Sequence, residues 1–97
     1  MSQYQLSPQA RRDHYGILDY SAEDSARASE RVRMAILQAI RRLSERPGMG
    51  HWRQDLTDRP LRFWTVMGRY TIVYRDDPPI EIVNIIGPGR DIASLLK

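Results

Sequence analysis

Residues 61–86 read LRFWTVMGRYTIVYRDDPPIEIVNII, and the two-residue period in this stretch decides the fold. Leu61 to Val66 and Tyr70 to Arg75 are rich in aromatic and β-branched residues and read as strands, whose alternation sets Phe63 opposite in facing to Trp64 and puts Tyr70, Ile72 and Tyr74 on one face. Met67-Gly68-Arg69 between them predicts a tight turn with Gly68 at positive φ. Asp76-Asp77-Pro78-Pro79 predicts a second turn. Ile80 to Ile86 is apolar on both faces apart from Glu81 and Asn84. That predicts a central strand covered on both sides. The stretch is a three-stranded antiparallel meander.

Upstream the period lengthens. Ser7-Pro8 suits a helix start, with serine at the N-cap and proline at the first helical position. Ala10, His14, Ile17 and Leu18 then fall on one stripe, and Asp13 lies early enough for the helix dipole to favour it. Ser21-Ala22-Glu23-Asp24 has the form of a capping box. It predicts a second helix running to about Arg46, with Ala28, Val32, Ala35 or Ile36, Ala39, Ile40 and Leu43 facing the core. Pro47-Gly48 ends it. So short a link makes the helices an antiparallel hairpin. Residues 2–6 (SQYQL) alternate and predict a strand joining the same sheet, at an edge the pattern leaves open. Residues 48–60 have turn composition and predict a loop. The segment Asp91 to Leu96 is a helical turn or an extended tail. The sum is a two-layer α+β domain over residues 1–97, with the hairpin packed on one sheet face.

Composition narrows the function. The 97 residues are 41% hydrophobic and 28% charged, with a net charge of +3, so contact with nucleic acid or an acidic protein is permitted and not required. Fourteen of the basic residues are arginine and Lys97 is the lone lysine. No cysteine is present, which excludes disulfides, thiolate nucleophiles and cysteine metal sites. No apolar run reaches the ~18 residues of a membrane span, and MSQYQLSPQA lacks the form of a secretory signal. A cytoplasmic protein is expected. His14 and His51 lie too far apart for a recognisable metal spacing. No metal or cofactor is expected.

Four segments in order carry a family likeness: YQLSPQARRDHYGILDY, then the long helix ending in ERPGMGH, then LRFWTVMGRYTIVYR, then IEIVNIIGPGRDIASLL. Together they resemble toxins of the RelE/ParE superfamily from type II toxin–antitoxin modules, specifically the ParE branch of plasmid-stabilisation toxins. The resemblance implies a RelE-like α+β fold and a partner antitoxin whose flexible C-terminal segment wraps the toxin, in a hetero-oligomer. ParE-type members poison DNA gyrase, whereas RelE-type members cut messenger RNA on the ribosome.

The two branches need different residues. RNA cleavage requires cations on the developing phosphorane and groups that move protons. RelE-like nucleases supply two lysines on the first meander strand, an arginine after the hairpin tyrosine, an arginine after the last strand and a tyrosine near the C-terminus. Carried onto this chain, Arg62 keeps a cation at the first lysine position, and Trp64 replaces the second. Thr71 follows Tyr70 where arginine is needed. Arg90 matches the post-strand arginine, and no tyrosine follows it. A nuclease built here would have to use Arg62, Arg90 and His51. The expectation is therefore no catalytic residues and a protein-binding surface drawn from Arg62, Trp64, Arg69, Tyr70, Arg75, Arg90 and Asp91, without sequence-specific nucleic-acid binding. Arg90 has two readings: a clamp pairing with Asp91 or Asp55 to hold the tail, or a contact to a partner. The rival functions are a RelE-like messenger RNA interferase with a degenerate site and a non-toxic, interaction-only member.

Overall fold

The computed structural model describes residues 3–97, so Met1 and Ser2 of the expected first strand lie outside the described residues. The elements are β1 (Tyr4–Leu6), α1 (Pro8–Asp24), α2 (Ala26–Glu45), a 3-10 turn (Pro47–Met49), β2 (His51–Trp52), β3 (Arg62–Val66), β4 (Tyr70–Arg75), β5 (Ile80–Ile86) and α3 (Ile92–Leu95). They form an α+β fold, a five-stranded mixed sheet in the order β1-β5-β4-β3-β2 beneath a helix hairpin.

The meander forms where its period places it. Met67 and Gly68 both take positive φ, and the Arg69 N–H donates to the Val66 carbonyl at 3.1 Å. That backbone hand matches the twist of the flanking strands. β1 runs parallel to β5, with Tyr4 beside Ile80 and Leu6 beside Ile82. β5 is thus interior, as its apolar run predicts. The join is made by Ser7. Its N–H donates to the Ile82 carbonyl at 2.9 Å, its hydroxyl donates to the Val83 carbonyl at 2.7 Å, and its Oγ accepts the Ala10 N–H at 3.0 Å. One serine ends the strand pairing and caps α1.

Beyond Val83 the outer edge of β5 has no strand beside it. Asp13 takes over, its Oδ2 accepting the Ile85 N–H at 3.0 Å. Asp13 lies beyond the first turn of α1, where the helix dipole has faded, so the anticipated dipole contact is replaced by a clamp between helix and sheet.

The helix boundary differs from the capping-box reading. α1 continues to Asp24, and Ser25 rather than Ser21 caps α2, accepting the Ala28 N–H at 2.9 Å. Ser21 is buried inside α1, its hydroxyl returned to the Ile17 carbonyl at 2.9 Å. A serine with an in-helix carbonyl to bond has no need to cap. The hairpin is closed by Ser29, whose hydroxyl donates to the Leu18 carbonyl.

The core has two sides. Val32, Ile36, Ile40 and Leu43 of α2 pack against Val66, Tyr70, Ile72 and Tyr74. Burying each large side chain contributes about 1.5–3 kcal/mol. On the opposite face Leu61, Phe63, Val73, Ile86 and Leu96 form a second cluster, with Leu56 and Ile92 alongside. The two expected layers therefore gain a partial third, made by the loop after β2 and the C-terminal tail. The expected loop 48–60 also contains β2, whose His51 and Trp52 pair with Phe63 and Arg62. Two residues are too few for a periodic signal.

Candidate partner-binding site

The strand register splits the expected surface in two. Arg62 pairs across to Tyr74, whereas Arg69 precedes Tyr70, four residues of strand away, or ~13 Å. Arg62, Arg75 and His51 belong to one end of the sheet. Arg69, Tyr70 and Arg90 belong to the other.

At the first end the cations are spent on the protein itself. The Arg62 Nε donates to Asp76 Oδ2 at 2.7 Å and an Nη donates to the Gly50 carbonyl at 2.9 Å. Its guanidinium lies 4.1 Å from the ring centre of Trp52. Arg75 pairs with Glu81 at 3.5 Å. Trp64 packs against the helix-side core, and its ring stacks with that of His51 at 6.1 Å between centroids. Tyr74 lies fully buried behind this end. Burial pushes its phenol above the usual tyrosine range, against the lowering effect of the Gly50 N–H bond.

The second end is different. A cleft of about 500 Å³ opens between α1 and the sheet. Ile17, Tyr70 and Ile85 give it an apolar lining, and Arg12, Arg69 and Arg90 stand around it. Arg69 also lies near the Tyr70 ring, 5.8 Å from its centre. No carboxylate pairs with these three arginines among the described residues. The acid within the cleft is Asp13, whose oxygens accept from Gln9 Nε2 and from the Ile85 N–H.

Arg90 is thus not the clamp of the tail. Asp55 pairs with Arg53 at 2.8 Å. Asp91 caps α3, accepting the Ser94 N–H at 3.4 Å and the Ser94 hydroxyl at 2.8 Å, and these bonds hold its carboxyl below the usual carboxylate range. The tail is held instead by buried Leu96 and by Arg59, which donates to the Leu96 carbonyl at 3.3 Å. Arg90 stays exposed at the cleft.

Arg12 and Tyr20 on α1 belong to this cleft and were not among the residues expected from sequence, because an exposed helix face carries no pattern of its own. Asn84 adjoins the cleft and had a signal: a polar residue inside an apolar strand. The trio Arg62, Arg90 and His51, needed for RNA cleavage, is not brought together, with Arg62 and His51 at one end and Arg90 at the other. Among the described residues no group of acidic and histidine side chains has the arrangement of a metal site, and no helix is long and apolar enough to cross a membrane.

The chain matches the family model described as the ParE toxin of type II toxin-antitoxin system, parDE, over residues 4–92. Its fold is similar to that of a solved chain described as the chromosomal ParDE TA system from P. aeruginosa, with a TM-score of 0.75 at 16% identity, covering 91% of this chain and 97% of that one. A search of curated proteins gives no significant match.

Proposed function

This chain belongs to the ParE toxin family of type II toxin–antitoxin systems, and from that premise we propose that it acts without catalysis, by binding and poisoning DNA gyrase. A cognate antitoxin protein neutralises it in a cytoplasmic hetero-oligomer. The observation that carries this reading over the messenger RNA interferase is the fate of the would-be catalytic cations. Arg62 is held by Asp76 and the Gly50 carbonyl, and Arg90 stands at the far end of the sheet with no tyrosine after it. Anion binding survives in such an arrangement; acid–base chemistry on a 2′-hydroxyl does not.

The test sets two assays side by side. Purified protein is mixed with gyrase, ATP and plasmid, and separately with translating ribosomes. Trapped gyrase–DNA cleavage complexes with intact messenger RNA are expected. Codon-positioned RNA cuts with normal gyrase turnover would overturn the proposal and make Arg62, Arg90 and His51 the catalytic candidates.

A further inference from the structure

α2 carries a basic face that the functional reading above leaves unused. The helix has five arginines against two glutamates, an excess equal to the net charge of +3 on the whole chain. At about 100° per residue, Arg27, Arg31, Arg41 and Arg42 project within about 60° of Gln38. All four are exposed. The buried side, with Val32, Ile36 and Leu43, points away from them into the core. Glu30 lies at the margin and is occupied by Arg33, which leaves Glu45 as the acid of α2 on this face. No carboxylate pairs with the four arginines among the described residues. Beyond α2, Glu23 and Asp24 lie in the last turn of α1, close to Arg27 in the chain.

We infer that this face of α2 binds the phosphate backbone of duplex DNA without reading its sequence. Length supports this occupant. Arg27 and Arg42 stand ~22 Å apart along the helix axis. An arginine pair at each end can therefore reach the two strands that flank a major groove of about 12 Å. The guanidinium fork suits phosphate oxygens. The rest of the face selects against other anions. α2 has no aromatic residue, so unstacked bases find nothing to stack on, the usual grip on a single strand. A protein partner is gripped through side chains buried at the centre of an interface, and Met34 is the exposed large apolar residue that this helix offers. The apolar side of α2 is locked in the core, so it has none to lay into a membrane surface. Duplex DNA needs only spaced cations on a convex surface, because its charge is dense and regular. The inference rests on the gyrase reading for the source of the duplex, the DNA segment that gyrase holds.

The experiment is a fluorescence-anisotropy titration of the purified protein with a short labelled DNA duplex at about 50 mM and about 200 mM salt. A single strand, a duplex RNA and polyglutamate are run in parallel. Four phosphate contacts predict binding about a hundredfold weaker at the higher salt. Arg41→Gln combined with Arg42→Gln is expected to weaken duplex binding about tenfold at the lower salt. The same pair should flatten the slope of log affinity against log salt by about 2. Arg27→Gln combined with Arg31→Gln should act alike. All four positions are exposed, so either double variant keeps the fold, and each checks the other. Arg69→Gln combined with Arg90→Gln, at the cleft, is expected to leave duplex binding unchanged. Binding lost in the cleft variant and kept in both α2 variants would overturn the proposal. Tighter binding of the single strand, the duplex RNA or polyglutamate would do the same, as would duplex binding that ignores salt. The gyrase assay is independent. Cleavage complexes formed by a protein that binds no duplex refute this face alone, and duplex binding without cleavage complexes refutes the gyrase reading alone.

Discussion

The hydroxyl of Tyr74 accepts the Gly50 N–H at 2.8 Å and donates to the Pro47 carbonyl at 2.6 Å. The central strand thereby holds the turn that follows α2. The ring is fully buried, and Gly50 lies so close to it that a Cβ there would collide with the phenol.

Tyr74→Phe removes the hydroxyl and strands two buried backbone groups. The expected loss is about 1–3 kcal/mol, read from urea unfolding. Gly50→Ala should cost a similar amount by overpacking, about 1–3 kcal/mol. If either variant unfolds at the parent's midpoint, the turn is not pinned through Tyr74.

Arg62→Ala tests the assignment of this arginine to the framework. It forfeits the Asp76 and Gly50 contacts and the stack on Trp52, an expected loss of about 1.5–3 kcal/mol. Activity per folded molecule should be retained at low temperature. A variant as stable as the parent but inactive would instead make Arg62 a contact residue.

Asp13→Ala should lower stability by about 1–3 kcal/mol, because the Ile85 N–H loses its acceptor at a strand edge with no neighbour. Hydrogen exchange at the Ile85 amide gives the direct readout. Unchanged protection in the variant would show that this N–H does not depend on the carboxylate.

His14 gives the fold a pH dependence. Its Nε2 is buried without a hydrogen-bond partner. Burial and then the nearby Arg33 lower its pKa below the ordinary 6.5. The native state therefore resists the proton that the unfolded chain accepts. Stability from this group is complete above about pH 6.5 and falls as the pH drops from there towards the lowered value. His14→Leu should remove that part of the slope, seen by comparing unfolding midpoints at neutral and mildly acid pH. An identical slope in the variant would assign it elsewhere.

The meander and the hairpin were legible in the sequence because each rests on a local period and on turn residues whose φ is nearly dictated, Gly68 above all. One error was local: the cap moved from Ser21 to Ser25 because Ser21 bonds a carbonyl one turn back within α1. The rest depends on contacts distant in the chain. The edge taken by β1 is set by Ser7 meeting β5. Arg62 and Arg90 look alike as exposed cations of a basic strand region. Only the register reveals that one is bound by Asp76 while the other stands at an open cleft. Asn84 announced itself as a polar break in an apolar run, but the recess beside it is made by α1, β5 and the tail together.

The pairing of β1 with β5 has a consequence for synthesis. Tyr4 leaves the ribosome early, yet its neighbour Ile80 is made 76 residues later. At ~5–20 residues per second this is a wait of roughly 4–15 s. Until then the first strand has no parallel neighbour, and the C-terminal cover of the second core, Ile92 and Leu96, is made later still. The helix hairpin is therefore made before the parallel edge it covers exists, and the sheet closes only when its last strand arrives.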